Sequence, residues 1–528
     1  MDYGLLSLLP PLIAIVLAIA TRRVVGPLMI AILCGSVILN FGTGSIFETA
    51  WASIYGFVAA IFTSIFERDH LRALLFSLLL GAMVGVLEAG GGMVALINRF
   101  STRVRSRRGA QSLIAGVGLG IFFDDYANTL LVGGTMRTTA DRFGVSRAKL
   151  AYLVDTTSAP VPGLSPISTW VVTEISYVAE GLAAAAIIDM SAFAILMASL
   201  PFRFYPILAL VMVFAIAISD RDFGPMRHQK PEPMPEDENG ANAANRMSPP
   251  ARNRLGWAAI IPIAACVAAV VTSLAVSGWG KAPAGNEGLL RRIGGLITNG
   301  DSYGALIHGG ATGLALAILM HRGLGNIPWR TLGRGALAGA MHMIPAMMIL
   351  WLAWALSAQT GEKQLNTGGF IASWLGESVP TILLPTAVFL ISAGVAFSTG
   401  TSWGTMAILT PISMQLAITI TDGQPYDSIS LATLGSVLAG AIFGDHCSPI
   451  SDTTVLSSRA SGCDHIVHVR TQIPYAVTVG VISILLGTIP VAMGFSPYLC
   501  LLVGMIATIA MVRFVGRKPD AVLVSDQS

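Results

Sequence analysis

The chain has 528 residues, of which 54% are hydrophobic and only 12% charged, with a mean hydropathy of +0.70. Soluble domains carry about a quarter charged residues, so an ordinary soluble fold is excluded. The net charge of +3 is small and dispersed, which excludes a nucleic-acid surface. Apolar runs reach the roughly 20 residues that a helix needs to cross a bilayer. They do not alternate as the strands of a membrane barrel would, so the expected class is an all-α polytopic membrane protein. Cys34, Cys266, Cys447, Cys463 and Cys500 form no CxxC pair and no regular spacing, so neither a disulfide framework nor a zinc frame is expected.

The chain opens on an apolar run, and Arg22 and Arg23 follow it rather than precede it. That is the reverse of a cleaved signal, and it places the N-terminus outside. Spans are expected at 5–20 and 24–41. Segment 46–68 carries Glu48, Glu67 and Arg68 and reads as an amphipathic piece on the outer face. A third span, 71–89, leads to Arg99, Arg103, Arg105, Arg107 and Arg108, which the positive-inside rule places in the cytoplasm.

Segment 111–136 is flanked on both sides by basic residues, with FFDDYAN near its middle. The charge pattern predicts a hairpin that enters from the cytoplasm and turns back. Segment 150–178 then crosses outward, interrupted by Pro160, Pro162, Gly163 and Pro166, which no continuous helix favours. A return run ends near Ile218. The stretch 220–254 contains PEPMPEDENGANAANRMSPP, a composition unable to bury enough apolar surface to fold. It reads as a disordered cytoplasmic linker between halves 1–219 and 255–528.

The second half repeats the order. Spans at 257–276, 303–320 and 335–356 are joined by an external loop at 281–302 and a basic inner one. Another external loop, 359–378, precedes 381–421, which is apolar at both ends and broken by FSTGTSWGT; its flanks lack basic residues, so it reads as a hairpin entering from outside. Segment 428–455 crosses inward and is broken by GDHCSPISDTT. Two last spans, 475–493 and 501–515, leave the C-terminus in the cytoplasm. About eleven spans plus two re-entrant hairpins result. The halves point in opposite directions, an inverted-topology repeat with broken helices at the midplane, which in transporters brackets a binding site.

FFDDYANTLLVGGTMR, VDTTSAPVPGLSPISTW, FSTGTSWGT and GDHCSPISDTTVLSS resemble the signature segments of the NhaC family of sodium/proton antiporters. The similarity extends from about residue 5 to 515, apart from the linker. The resemblance implies membership of the ion-transporter superfamily, with Na⁺ and H⁺ as substrates, no cofactor, and a multi-pass place in a bacterial or archaeal cell membrane. It also implies a homodimer in the bilayer and elevator-type motion. Relatives of that family exchange organic acids such as malate and lactate, or move amino acids.

The residues themselves define the chemistry. Sodium is a hard cation that prefers oxygen ligands, and a broken helix frees carbonyls beside them. One candidate set is Asp125, Asn128, Thr129, Asp155, Ser158, Ser165 and Ser168. The other is Thr399, Thr401, Ser402, Thr405, Asp445, Ser448, Asp452 and Thr453. A carboxylate at membrane depth holds either a proton or a cation, which is what exchange requires. Asp155 and Asp445 rank first because each precedes its own break. Asp124 is expected to cap a hairpin helix, with proton relay as its alternative role, and Asp452 to cap the half-helix after it. Glu174 is a candidate relay towards the outer side. Glu88 and His342 are weaker candidates.

Sodium/proton exchange is therefore the expected activity, with coupled exchange of a small organic acid or amino acid as the alternative. The alternative needs a cation in the cavity, and Arg137 is the only basic residue expected near the core segments. A channel lacks support because two opposed half-sites do not form a symmetric filter. No P-loop supports a nucleotide-driven pump, and no nucleophile–base pair supports a hydrolase.

Overall fold

A computed structural model of the chain describes residues 3–21, 23–42, 44–187, 190–231, 249–279, 300–361, 363–367, 370 and 380–518. Among these the regular elements are helical, and an isolated bridge pairs Asp222 with Arg517. Ten helical stretches are long and apolar enough to cross a membrane, and Gly4–Ala18, Val25–Asn40 and Phe204–Ser219 are shorter apolar helices. The chain is a multi-pass membrane protein.

Helices α1 (Leu9–Thr21), α2 (Val25–Asn40), α3 (Ile46–Ile65), α4 (Arg68–Ala89) and α5 (Gly92–Ser101) come first. The expected amphipathic segment is instead α3, a 20-residue apolar helix. Its charges lie at its ends: Glu48 closes a capping box with Ser45, and Glu67 and Arg68 fall beyond its last turn.

The first interrupted region comprises α6 (Arg107–Gly120), α7 (Asp125–Arg142), α8 (Arg147–Ser158), α9 (Pro160–Leu164) and α10 (Thr169–Ala184). Then follow α11 (Ala192–Ala198), α12 (Phe204–Ser219), α13 (Pro249–Gly278), α14 (Ser302–Gly325), α15 (Trp329–His342) and α16 (Ile344–Thr360). The second interrupted region comprises α17 (Leu384–Thr399), α18 (Ser402–Ile420), α19 (Ser428–Cys447) and α20 (Asp452–Ser461). Helices α21 (His465–Ser483), α22 (Ile489–Ala492) and α23 (Pro497–Phe514) end the described chain.

Four helices that restart after an interruption, α7, α10, α18 and α20, carry their own caps, whereas α9 follows Ala159 without one. Asp124 accepts from Ala127 N at 2.8 Å, Ser168 from Val171 N at 3.1 Å, Thr401 from Gly404 N at 3.4 Å and Ser451 from Thr454 N at 3.3 Å. These side chains satisfy amides that a helix start leaves unpaired. Gly400 turns the second hairpin at φ +71°, and a Cβ there would lie 2.5 Å from the Ile450 carbonyl oxygen. The cap of α20 is thus Ser451, not Asp452 as expected from sequence; Asp452 is its first helical residue.

The two sequence halves interleave in space. Helix α4 packs on α14 and α15, α16 on α2 and α3, α10 on α18, and α7 and α8 on α20. Where α4 crosses α15 the backbones touch: a Cβ on Gly85 would lie 2.1 Å from the Gly335 carbonyl oxygen, and one on Gly339 2.1 Å from that of Gly81.

The predicted linker is folded at its start. Gln111 Nε2 donates to Asp220 Oδ1 at 2.7 Å, Phe223 and Met226 are buried, and Lys149 pairs with Asp222. A buried lysine needs that carboxylate, which draws the chain back onto α8. Helix α13 begins inside the expected linker, at Pro249, and residues 232–248 lie outside the described residues. So do Asp189, nearly all of the external loop at 281–302, and 362, 368, 369 and 371–378 of the one at 359–378.

Candidate functional site

The four interruptions are in direct contact. Thr169 N donates to the Phe123 carbonyl at 2.8 Å, tying the restart of α10 to the first hairpin tip. Ser448 Oγ donates to the Phe397 carbonyl at 2.6 Å and Asp452 N to that of Gly400 at 3.3 Å, tying the second break to the second tip. Trp170 and Trp403 meet edge to face at 5.3 Å, joining the first break to the second tip. Tyr126 OH donates to Asp452 Oδ2 at 2.6 Å, joining the first tip to the second break.

Asp155 and Asp445 are fully buried and bridged through consecutive threonines. Thr454 Oγ1 donates to Asp155 Oδ2 and Thr453 Oγ1 to Asp445 Oδ2, each at 3.0 Å. Their surroundings differ. Asp155 also receives Gln472 Nε2 at 2.5 Å and faces His468 Nε2 at 3.4 Å. Its Oδ2 is therefore the anchor between α8, α20 and α21, while its Oδ1 has no hydrogen-bond partner. Asp445 likewise has one oxygen without a hydrogen-bond partner, and its other oxygen receives only Thr453 among the hydrogen bonds described.

Asp125 is the least satisfied acid. It is 1% exposed and neither carboxylate oxygen has a hydrogen-bond partner. The charges of Asp124 and Asp452 act on it, and the Trp170 indole approaches without closing a hydrogen bond. Beside it, Asn128 Nδ2 donates to the carbonyls of Gly118 and Ile121, satisfying the end of α6, while its Oδ1 has no partner. Asp124 caps with one oxygen, as expected, and leaves the other unpartnered.

The hydroxyl candidates divide. The Oγ1 of Thr129 and of Thr399 and the Oγ of Ser158 donate to carbonyls of their own helices. Thr405 does the same, to Thr401. Ser165 only closes its own turn with Ile167. Ser168 Oγ donates to Pro162 O, and Ser402 Oγ to Ala441 O at 3.2 Å. Thr156 and Thr169 are buried with unpartnered hydroxyls and were not singled out from sequence.

Glu174 differs from the expected relay. It pairs with Arg203 at 2.9 Å, both fully buried, and Arg203 also donates to the Gly163 carbonyl inside the break. Arg137 is therefore not the only basic residue near the core: Arg203, Lys149, His446 and His468 are buried there too. Arg137 itself donates to the Arg459 and Ala460 carbonyls at the end of α20.

A cavity of about 460 Å³ lies between α4, α7 and α15. Its polar lining is Glu88, Asp124, Tyr126 and His342, and most of the rest is glycine and alanine. His342 packs edge to face on Tyr126 at 4.7 Å. The cavity thus reaches Asp124 directly and Asp452 through one tyrosine. A wider groove of about 620 Å³ lined by Leu210, Phe214 and Ile509 is almost wholly apolar and touches none of these residues.

Apolar spanning helices wrapped around interrupted ones, with buried acids at the interruptions, define a multi-pass transporter. The Na⁺/H⁺ antiporter family profile matches residues 163–489, and the chain belongs to that family. A Haemophilus influenzae protein described only as uncharacterized is 34% identical over 483 residues, 90% of this chain and 88% of its own. The malate-2H⁺/Na⁺-lactate antiporter of Bacillus subtilis is 34% identical over 137 residues, 24% of this chain and 28% of its own. The solved structure of the antimetabolite efflux pump MtrF of Neisseria gonorrhoeae shares the fold with a TM-score of 0.53 at 12% identity, covering 94% of both chains.

Proposed function

We propose that the protein exchanges Na⁺ for H⁺ across the cell membrane, with its N-terminus outside and its C-terminus in the cytoplasm. Asp125 carries the reading. An ionised carboxylate buried without a donor is costly, so the group holds either a proton or a cation. Asp124 and Asp452 add negative charge around it, Asp445 adds its own beside Asp452, and no lysine or arginine bonds to these four acids among the described residues. Sodium binding expels the proton and protonation expels sodium. Asp125, Asp452, Asp445 and the Asn128 carbonyl oxygen supply the hard ligands, and Asp155 holds the frame in which they sit.

A second reading is exchange of a small organic acid. Arg203 favours it, because its Nε and Nη2 are buried without partners. The matched malate/lactate antiporter makes it concrete.

Everted vesicles with a pH dye separate the two. Dequenching by NaCl but not KCl or sodium-free malate, lost in Asp125→Asn while the protein still inserts, supports sodium exchange. A response to sodium-free malate that Arg203→Gln abolishes supports the second reading and sinks the first.

A further inference from the structure

At the end of α4 remote from Arg103–Arg108, three side chains meet that the ion site does not use. His70 Nε2 lies 3.0 Å from Glu180 Oε1 and 3.5 Å from Glu67 Oε2, and the three ligand atoms all lie within 4.8 Å of one another. His70 is 7% exposed, and its ring is fixed from two further directions. It stacks on Trp354 at 3.8 Å with an interplanar angle of 3°. Its Nδ1 meets the Ser64 carbonyl, which can only accept. Nδ1 therefore carries a hydrogen, and Nε2 either donates its own proton to Glu180 or, once deprotonated, turns its lone pair towards the two carboxylates. The point between the three groups takes one positive occupant, a proton on Nε2 or a metal ion that displaces it.

We propose that Glu67, His70 and Glu180 bind a divalent cation of the zinc class. Ligand atoms about 2.0–2.2 Å from such an ion sit roughly 3.4 Å apart in tetrahedral geometry. The two His70 distances bracket that spacing. Glu67 is largely exposed, so it is free to close the third edge. The Nδ1-to-carbonyl bond is the support that orients metal-binding histidines. Protons compete for the same nitrogen, so affinity falls as pH drops below neutral. The neighbouring charged and titratable groups include Arg68, Asp69, Arg72, Asp301 and Tyr303; Arg72 is already held by Asp301 at 2.5 Å and Asp69 at 3.3 Å.

The site joins the α3–α4 turn to the far part of α10, whose first residues, Thr169 and Trp170, stand at the ion site. A bound metal therefore restrains α10, and exchange slows when it is present.

Cobalt titration of the purified full chain at neutral pH tests this without reading transport, so its outcome is independent of the exchange activity. Expected are about one equivalent bound, oxygen–nitrogen absorption bands, and affinity lowered about tenfold or more in Glu67→Gln and Glu180→Gln. Glu67 is exposed, so its variant leaves folding intact. Absence of saturable binding, thiolate charge-transfer bands, or unchanged affinity in both variants would overturn the proposal.

Discussion

Tyr126 donates its hydroxyl hydrogen to Asp452 Oδ2 at 2.6 Å, linking the first hairpin to the second broken helix. Hydrogen bonds to a charged group contribute about 1.5–3 kcal/mol. In Tyr126→Phe the apparent sodium affinity is expected to change by roughly tenfold or more, with the protein still inserted. Sodium titration of dequenching in everted vesicles measures it, and unchanged affinity would show that this bond does not organise the site.

Asp125 and Asp155 are expected to fail in different ways. Asp125→Asn removes a group with no partners, so thermal stability holds while exchange is lost. Asp155→Ala strands Gln472, Thr454 and His468 in the interior, a loss on the order of 3–5 kcal/mol. Melting of both variants in detergent, followed by size exclusion, separates the two cases. Equal loss of stability would contradict the division between ion ligand and anchor.

Glu88 lies on the cavity wall and Asp124 at its inner end. Neutralising the wall lowers the local cation concentration without touching the ligands. Glu88→Gln is expected to weaken apparent sodium affinity several-fold with the maximal rate preserved. Ala338→Trp fills the same space and is expected to block exchange while leaving melting nearly unchanged. Retained exchange in the filled variant would show that ions take another route.

Glu174 and Arg203 stabilise one another only as a pair. Glu174→Gln leaves a buried guanidinium without its carboxylate, costing about 3–5 kcal/mol. Adding Arg203→Met to that variant is expected to restore much of the lost stability. A double variant no better than the single one would mean that Arg203 is held chiefly by the Gly163 carbonyl.

Asp301, at the start of α14, gives a pH test. Burial pushes its pKa up, but the Arg72 guanidinium and the Gly304 amide outweigh this and hold it below the ordinary carboxylate value. A lowered folded pKa means stabilisation present above about pH 4 and lost as pH falls further. The pair is partly exposed, so the effect stays below about 1 kcal/mol. Asp301→Asn is expected to melt slightly earlier than wild type at pH 7, with the gap closing below about pH 4; a gap that widens in acid would refute it.

Much of this architecture was legible because apolar length and helix breakers are local signals. Pro160, Pro162 and Pro166 marked one break and the FSTGTSWGT run a hairpin tip, and each is an interruption in the fold. Long-range pairing was not legible. Asp155 ranked above Asp125 because its break lay nearby, but Gln472 and His468 reach it from more than 300 residues away. Arg203 stood alone in an apolar run, as Glu174 did; two isolated intramembrane charges of opposite sign were the signal that they meet.

The glycine crossing of α4 and α15 sets what the cavity between them can admit. Peptide planes touch at Gly81, Gly85, Gly335 and Gly339, with the Met343 side chain packed against the Gly81 end of the crossing. The aperture is fixed by main-chain geometry and widens only when two whole rods slide past each other. Rotamer hopping of Glu88, Leu130 or Met343 reshapes the other walls but not this one, and a substitution on the crossing would alter the size limit for every solute at once.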